Sequence, residues 1–169
     1  KQKTAYEILS GLVGSEMCIR DSPITSKDLH YQVARLYGDL NRKDSMKDIL
    51  DELISMSGLS PSNKVEYANV YFRELDDTEM AINILSDLQN EYTKIENMVK
   101  IKGFSKGSVS TARWNRWQKA FPDIVSSLVY IYKSTNRYLE AEDVLVNWIS
   151  RFPNDNNAKK LLEEVRSQD

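Results

Sequence analysis

One spacing governs what this chain can fold into. The segment VARLYGDLNRKDSMKDILDELI (33–54) returns as YANVYFRELDDTEMAINILSDL (67–88). Ala34 and Ala68 are 34 residues apart, and so are Tyr37 and Tyr71. Leu50 pairs with Leu85 and Leu53 with Leu88 at a spacing of 35, which places one extra residue in the turn around Leu75, Asp76 and Asp77. A third copy, LVYIYKSTNRYLEAEDVLVNWISRFPND (128–155), sets Tyr132 opposite Tyr71 and Ala141 opposite Met46 and Met80. Leu145 and Trp148 then fall opposite Leu50 and Leu53, and Pro153 closes the unit. A unit of this length cannot bury its own apolar face, so neighbouring copies must stack.

Within each copy the apolar residues recur at three- and four-residue steps. Val33, Leu36, Tyr37 and Leu40 form one set; Met46, Ile49, Leu50, Leu53 and Ile54 form the next. That is one face of each of two helices. The polar break at 41–44 separates them, with Asp44 or Ser45 available as an N-cap. Asn41 and Asn136 stand at the turn, where a residue tolerant of the left-handed conformation is needed. Ala34 and Ala68 are small where paired helices approach closely. After Pro153, AKKLLEEV places Leu161, Leu162 and Val165 on one side of a last helix and charge on the other, as a cap requires. The predicted fold class is all-α: a short α-solenoid of about three helix-turn-helix repeats (27–60, 61–93 and 122–155), a helical insert (94–121) and a C-terminal capping helix (156–168).

These residues resemble the tetratricopeptide repeat family. The third copy is the nearest match, with Tyr132, Ala141, Leu145, Trp148 and Pro153 in family order. The first two copies lack the closing proline at the family position, and Asn41 and Asn136 replace the usual turn glycine. The resemblance implies a scaffold for a protein or peptide partner, docked on a concave face lined by the first helix of each pair. By repeat position that face carries Tyr31, Gln32 and Arg35 from copy one, Asn69, Phe72 and Arg73 from copy two, and Tyr130 and Lys133 from copy three. The cations suit a carboxylate and the aromatics an apolar side chain. The Lys/Asn pattern with which family members clamp an acidic C-terminus is absent.

The register breaks once. Ala81 and Ala141 are 60 residues apart, as are Leu85 and Leu145, which leaves an insert of about 26 residues over 94–119. Its cations are Lys94, Lys100, Lys102, Lys106, Arg113, Arg116 and Lys119, against Glu96 alone, with Phe104, Trp114 and Trp117 interleaved. Gly103, Gly107 and the serines predict a loop near 102–110 and a helix to about Ala120, after which Pro122 opens the third repeat. The insert admits two roles. It is a helical extension whose tryptophans cover the junction between repeats and whose cations are solvated. Alternatively, it is a contact surface for an acidic or phosphorylated partner or an anionic membrane surface. Basic residues with aromatics also suit single-stranded nucleic acid, but the net charge of −2 and the lack of any nucleic-acid motif disfavour that partner.

Residues 11–22, GLVGSEMCIRDS, resemble the translation of a transposase adapter used to prepare sequencing libraries. Residues 1–22 are therefore set apart as non-native, and with them goes the only cysteine, Cys18. The remaining 147 residues are enough for one domain with a sizeable core. The chain does not begin with Met, so one expectation is that it is the tail of a longer protein, whose upstream domains would then lie out of view. No catalytic, phosphate-binding or metal motif is present. The one histidine, His30, lies on the first helix as a structural residue, and the acid clusters fall on helix exteriors and turns. The sequence thus predicts a non-enzymatic scaffold without cofactor. YQVARLYGDLNRKDSMKDILDEL (31–53) also resembles repeats in the tails of bacterial membrane glycosyltransferases similar to protein O-mannosyltransferases, which implies an accessory domain of a larger enzyme as the alternative.

Overall fold

The computed structural model describes residues 26–104 and 109–168. The adapter-like segment and Lys106 lie outside them. Among the described residues there are seven α-helices and no strand: α1 (Ser26–Asp39), α2 (Lys43–Ser55), α3 (Pro61–Arg73), α4 (Thr78–Lys102), α5 (Thr111–Ser134), α6 (Tyr138–Arg151) and α7 (Asn156–Arg166). The fold is an all-α helical repeat. The chain divides into two compact units, Lys1–Leu53 and Ile54–Asp169.

The three repeat turns share one backbone device. Asn41, Asp76 and Asn136 have φ of 55°, 58° and 59°, the left-handed conformation that Asn and Asp tolerate. The next residue then reaches back to the repeat tyrosine. Arg42 N–H donates to the Tyr37 carbonyl at 2.8 Å, and Arg137 N–H to the Tyr132 carbonyl at 2.8 Å. Both are the six-residue closure of a Schellman turn. In the second copy Asp77 N–H reaches the Tyr71 carbonyl at 2.9 Å, one residue further on. That is the extra residue required by the change of spacing from 34 to 35. The start of α2 differs from expectation. Met46 N–H bonds to the Arg42 carbonyl at 3.1 Å, so helix begins directly after the turn and Asp44 is an acid of its first turn, not its cap.

In the first unit Ala34, Met46, Leu50 and Leu53 are fully buried. In the second, α3 packs on α4 and α5, α4 on α5, α5 on α6, and α6 on α7. Tyr67, Ala68, Tyr71, Leu85, Leu88, Ile124, Leu128, Ala141 and Leu145 form its core. Arg137 ties two helix starts together. It bonds Glu140 at 2.7 Å and Glu79 at 3.0 Å, and lies 4.9 Å from the Tyr132 ring. The hydrogen bond from Arg137 holds the Glu140 carboxyl below its ordinary range.

Among the described residues the insert forms no separate element. It lengthens α4 to 25 residues and α5 to 24, joined through 103–110. Pro122 therefore lies inside α5 and does not open a helix, contrary to the sequence expectation. Ser110 is the cap instead, its hydroxyl accepting Arg113 N–H at 3.2 Å. A mid-helix proline removes one hydrogen bond and costs about 3 kcal/mol. Burial of Trp117, Ala120 and Phe121 before it and Ile124 and Val125 after it offsets that cost and keeps one continuous helix.

An aromatic column joins the extensions to α6. Trp114 stacks on Tyr92 at 5.6 Å between centroids, Tyr92 on Phe121 at 3.7 Å, Phe121 meets Trp148 at 5.4 Å, and Trp148 meets Phe152 at 4.5 Å. The Arg151 guanidinium lies 5.8 Å from the Tyr92 ring and 5.5 Å from that of Phe121. It also pairs with Glu96 at 2.9 Å and Thr93 Oγ1 at 3.1 Å. Burial, then the nearby Glu96 charge, pushes the Tyr92 phenol above its ordinary value. The Trp148 indole N–H donates to Asp155 at 2.8 Å, and Asp155 caps α7 by accepting Asn157 and Ala158 N–H, each at 3.0 Å. The Ala158 bond, with the indole bond next, holds the Asp155 carboxyl below its ordinary range.

Candidate functional site

The α3–α5 packing gathers five of the eight residues expected on the partner face. Phe72 of α3 meets Tyr130 of α5 edge-on, with centroids 5.9 Å apart and planes at 88°. Such a pair contributes about 0.5–1.5 kcal/mol beyond its buried area. The Arg73 guanidinium lies 5.6 Å from the Tyr130 ring centroid. Asn69 Nδ2 donates to Ser127 Oγ at 3.3 Å, and Lys133 pairs with Glu164 of α7 at 3.4 Å. Tyr130 is still 51% exposed despite these contacts. Beside it Ser126, Val129, Lys133, Ser134 and Leu161 line a shallow concavity. The face offers an aromatic flanked by two cations, one of them already paired with an exposed carboxylate. Tyr31, Gln32 and Arg35 belong to the first unit, with Tyr31 half-buried and the other two exposed.

The insert splits into packed and open parts. Trp117 is 5% exposed and belongs to the core, and Trp114 is half-buried against Tyr92. Neither serves as a free contact aromatic: for these two rings the packing fits the helical-extension role of the insert and not the contact-surface role. Burial on the extended α5 is the reason: both rings fall on its packed side. Lys100 pairs with Glu96 at 3.2 Å and Arg113 with Glu91 at 3.4 Å. Arg116 Nε donates to the Ala112 carbonyl at 3.4 Å. Lys94, Lys102 and Lys119 have no ion pair among the described residues, and Phe104 is 53% exposed. Arg113, Arg116 and Trp117 also line a hollow closed by residues 54–61 and Lys64 of α3. Lys64 lies 30 residues before the insert, so a local charge count does not reach it.

No helix among the described residues is long and apolar enough to cross a membrane. No protein-family model and no solved structure matches the chain. It is 27% identical over 147 residues to the inner kinetochore subunit fta4 of Schizosaccharomyces pombe, a match that covers 84% of this chain and 60% of that protein. The chain thus spans less than two thirds of the curated relative's length.

Proposed function

We propose that this chain is a non-catalytic scaffold of tetratricopeptide type that docks a protein partner on the α3–α5 face. The observation that carries the proposal is the half-exposed Tyr130 held between Phe72 and Arg73. Its ring is immobilised at low entropic cost, as an anchor site should be, and Arg73 and Lys133 favour an acidic segment. The likeness to an inner kinetochore subunit supports a role in holding proteins together, and a multi-protein assembly of that kind is the proposed setting. No feature of the fold adds to the likeness with glycosyltransferase tails.

Selection of random peptides against the full chain tests the proposal. Acidic peptides bearing an aromatic or aliphatic residue should be enriched. Tyr130→Ala and Arg73→Glu should each weaken their binding at least about tenfold, equivalent to about 1.4 kcal/mol. Asp87→Asn, on the exposed side of α4, should leave it unchanged. Binding insensitive to both face variants would overturn the site.

A further inference from the structure

We infer a second recognition site, for a phosphate monoester on a protein partner, in the hollow bounded by Lys64, Arg113 and Arg116. The hollow measures about 480 Å³ and lies wholly within the second unit. Its walls are the 54–60 segment, the start of α3 and the first turns of α5. Ile54, Leu59, Leu88 and Trp117 give it apolar surface, and Lys64, Arg113 and Arg116 face only one lining carboxylate, Glu91. Glu91 engages Arg113 at a long 3.4 Å; Lys64 and Arg116 have no carboxylate partner among the described residues.

The three cations border the hollow beside two helix starts. Helix N-termini carry partial positive charge and ordinarily take acids. Helices α1, α2, α4 and α6 do so with Asp28, Asp44, Glu79 and Glu140, and α7 is capped by Asp155. Neither α3 nor α5 has an acid in its first turn, and these are the two helices whose early cations converge on the hollow. A bound anion would be favoured both by the three cations and by the partial positive charge of the two helix ends. A carboxylate brings one charge and is satisfied by one arginine fork. A phosphate monoester brings about −1.5 to −2 and three acceptor oxygens, which matches three cations.

The apolar lining suits the residues flanking a phosphorylated side chain. A lipid headgroup fits less well, because no lining residue is among the exposed large apolar side chains that would enter a bilayer. This inference rests on the scaffold reading only for the nature of the partner. The α3–α5 face shares none of the lining residues, so the two sites fail independently.

The test uses the full chain labelled for nuclear magnetic resonance, with four probes: a degenerate phosphoserine peptide pool, the same pool dephosphorylated, inorganic phosphate, and anionic phosphatidylserine vesicles. The phosphoserine pool should bind at least about tenfold more tightly than its dephosphorylated form, with shifts confined to residues 54–64, 88–91 and 113–117. Binding should weaken as the screening length falls from about 10 Å at 0.1 M salt to about 3 Å at 1 M. Arg116→Gln should remove most of the preference, and Lys64→Gln repeats the test should the first variant fold poorly. Arg73→Glu should leave it intact. Equal affinity for both pools, saturation by inorganic phosphate without preference for the phosphorylated pool, or vesicle binding that survives both Gln variants would each overturn the assignment.

Discussion

Phe121→Ala is the sharpest perturbation of the stacked repeats. Phe121 is 2% exposed, lies 3.7 Å from Tyr92 and 5.4 Å from Trp148 between centroids, and sits under Arg151. It therefore touches α4 and α6 at once, from the middle of α5. Truncating a buried Phe costs about 3–5 kcal/mol through lost transfer energy and the cavity left behind. Two aromatic contacts vanish with the ring, so the upper half of that range is expected. For a domain of this size each kcal/mol lowers Tm by about 3–5 °C, which gives a fall of about 12–25 °C. Phe104→Ala removes the same ring from a 53% exposed position and should change stability by less than about 0.5 kcal/mol. Urea titrations followed by circular dichroism, with Tm by calorimetry, measure both. A Phe121→Ala loss below about 1.5 kcal/mol, or equal losses for the two variants, would refute the stacking of α4, α5 and α6 through this column.

Small residues at helix contacts should be intolerant: Ala68→Leu and Ala141→Leu, both fully buried, should each cost about 1–3 kcal/mol in denaturant titration, against less than about 0.5 for the exposed Glu163→Gln. Asp155→Ala should cost about 1–2 kcal/mol at pH 7 by loss of the α7 cap and the Trp148 bond. Because the folded-state value of Asp155 is depressed, its contribution is complete above the ordinary value of 3.8 and fades as pH falls through the lower folded value. The gap between Asp155→Ala and the parent should therefore narrow in stability measurements below about pH 4. Asp76→Val should cost about 1–2 kcal/mol in thermal unfolding and more than Asp76→Gly, since Gly adopts a φ of 58° without strain.

Much of the fold was legible because the repeat fixes its own register. The tyrosine spacing located all three left-handed turns, including the displaced one at Asp76. Leu50, Leu53, Leu85, Leu88 and Leu145 are buried as their periodicity requires, whereas Leu36 and Leu40, in the periodic set of the first helix, are exposed. The insert was legible in composition but not in geometry. Pro122 resembles a helix start locally, and only the apolar residues on both sides of it, packed against α4 and α6, explain the continuous α5. The seven cations also looked uniform, yet Lys100 and Arg113 pair with Glu96 and Glu91, two carboxylates of α4. Phe72, Arg73 and Tyr130, which repeat position sets side by side, also lie together in space because α3 packs on α5. Lys64 escaped notice because its neighbours in the hollow come from three other segments.

The central claim is that a partner docks on the α3–α5 face, and site-specific photo-crosslinking tests it most directly. A photoreactive phenylalanine replaces Tyr130 in one protein and the exposed Leu139 of α6 in another. Each is irradiated with the peptide selected against the unmodified chain, and the adduct is mapped by mass spectrometry. The account predicts a saturable adduct at position 130 that an excess of unlabelled peptide suppresses, and none at 139. An adduct at 139 with none at 130 would contradict it.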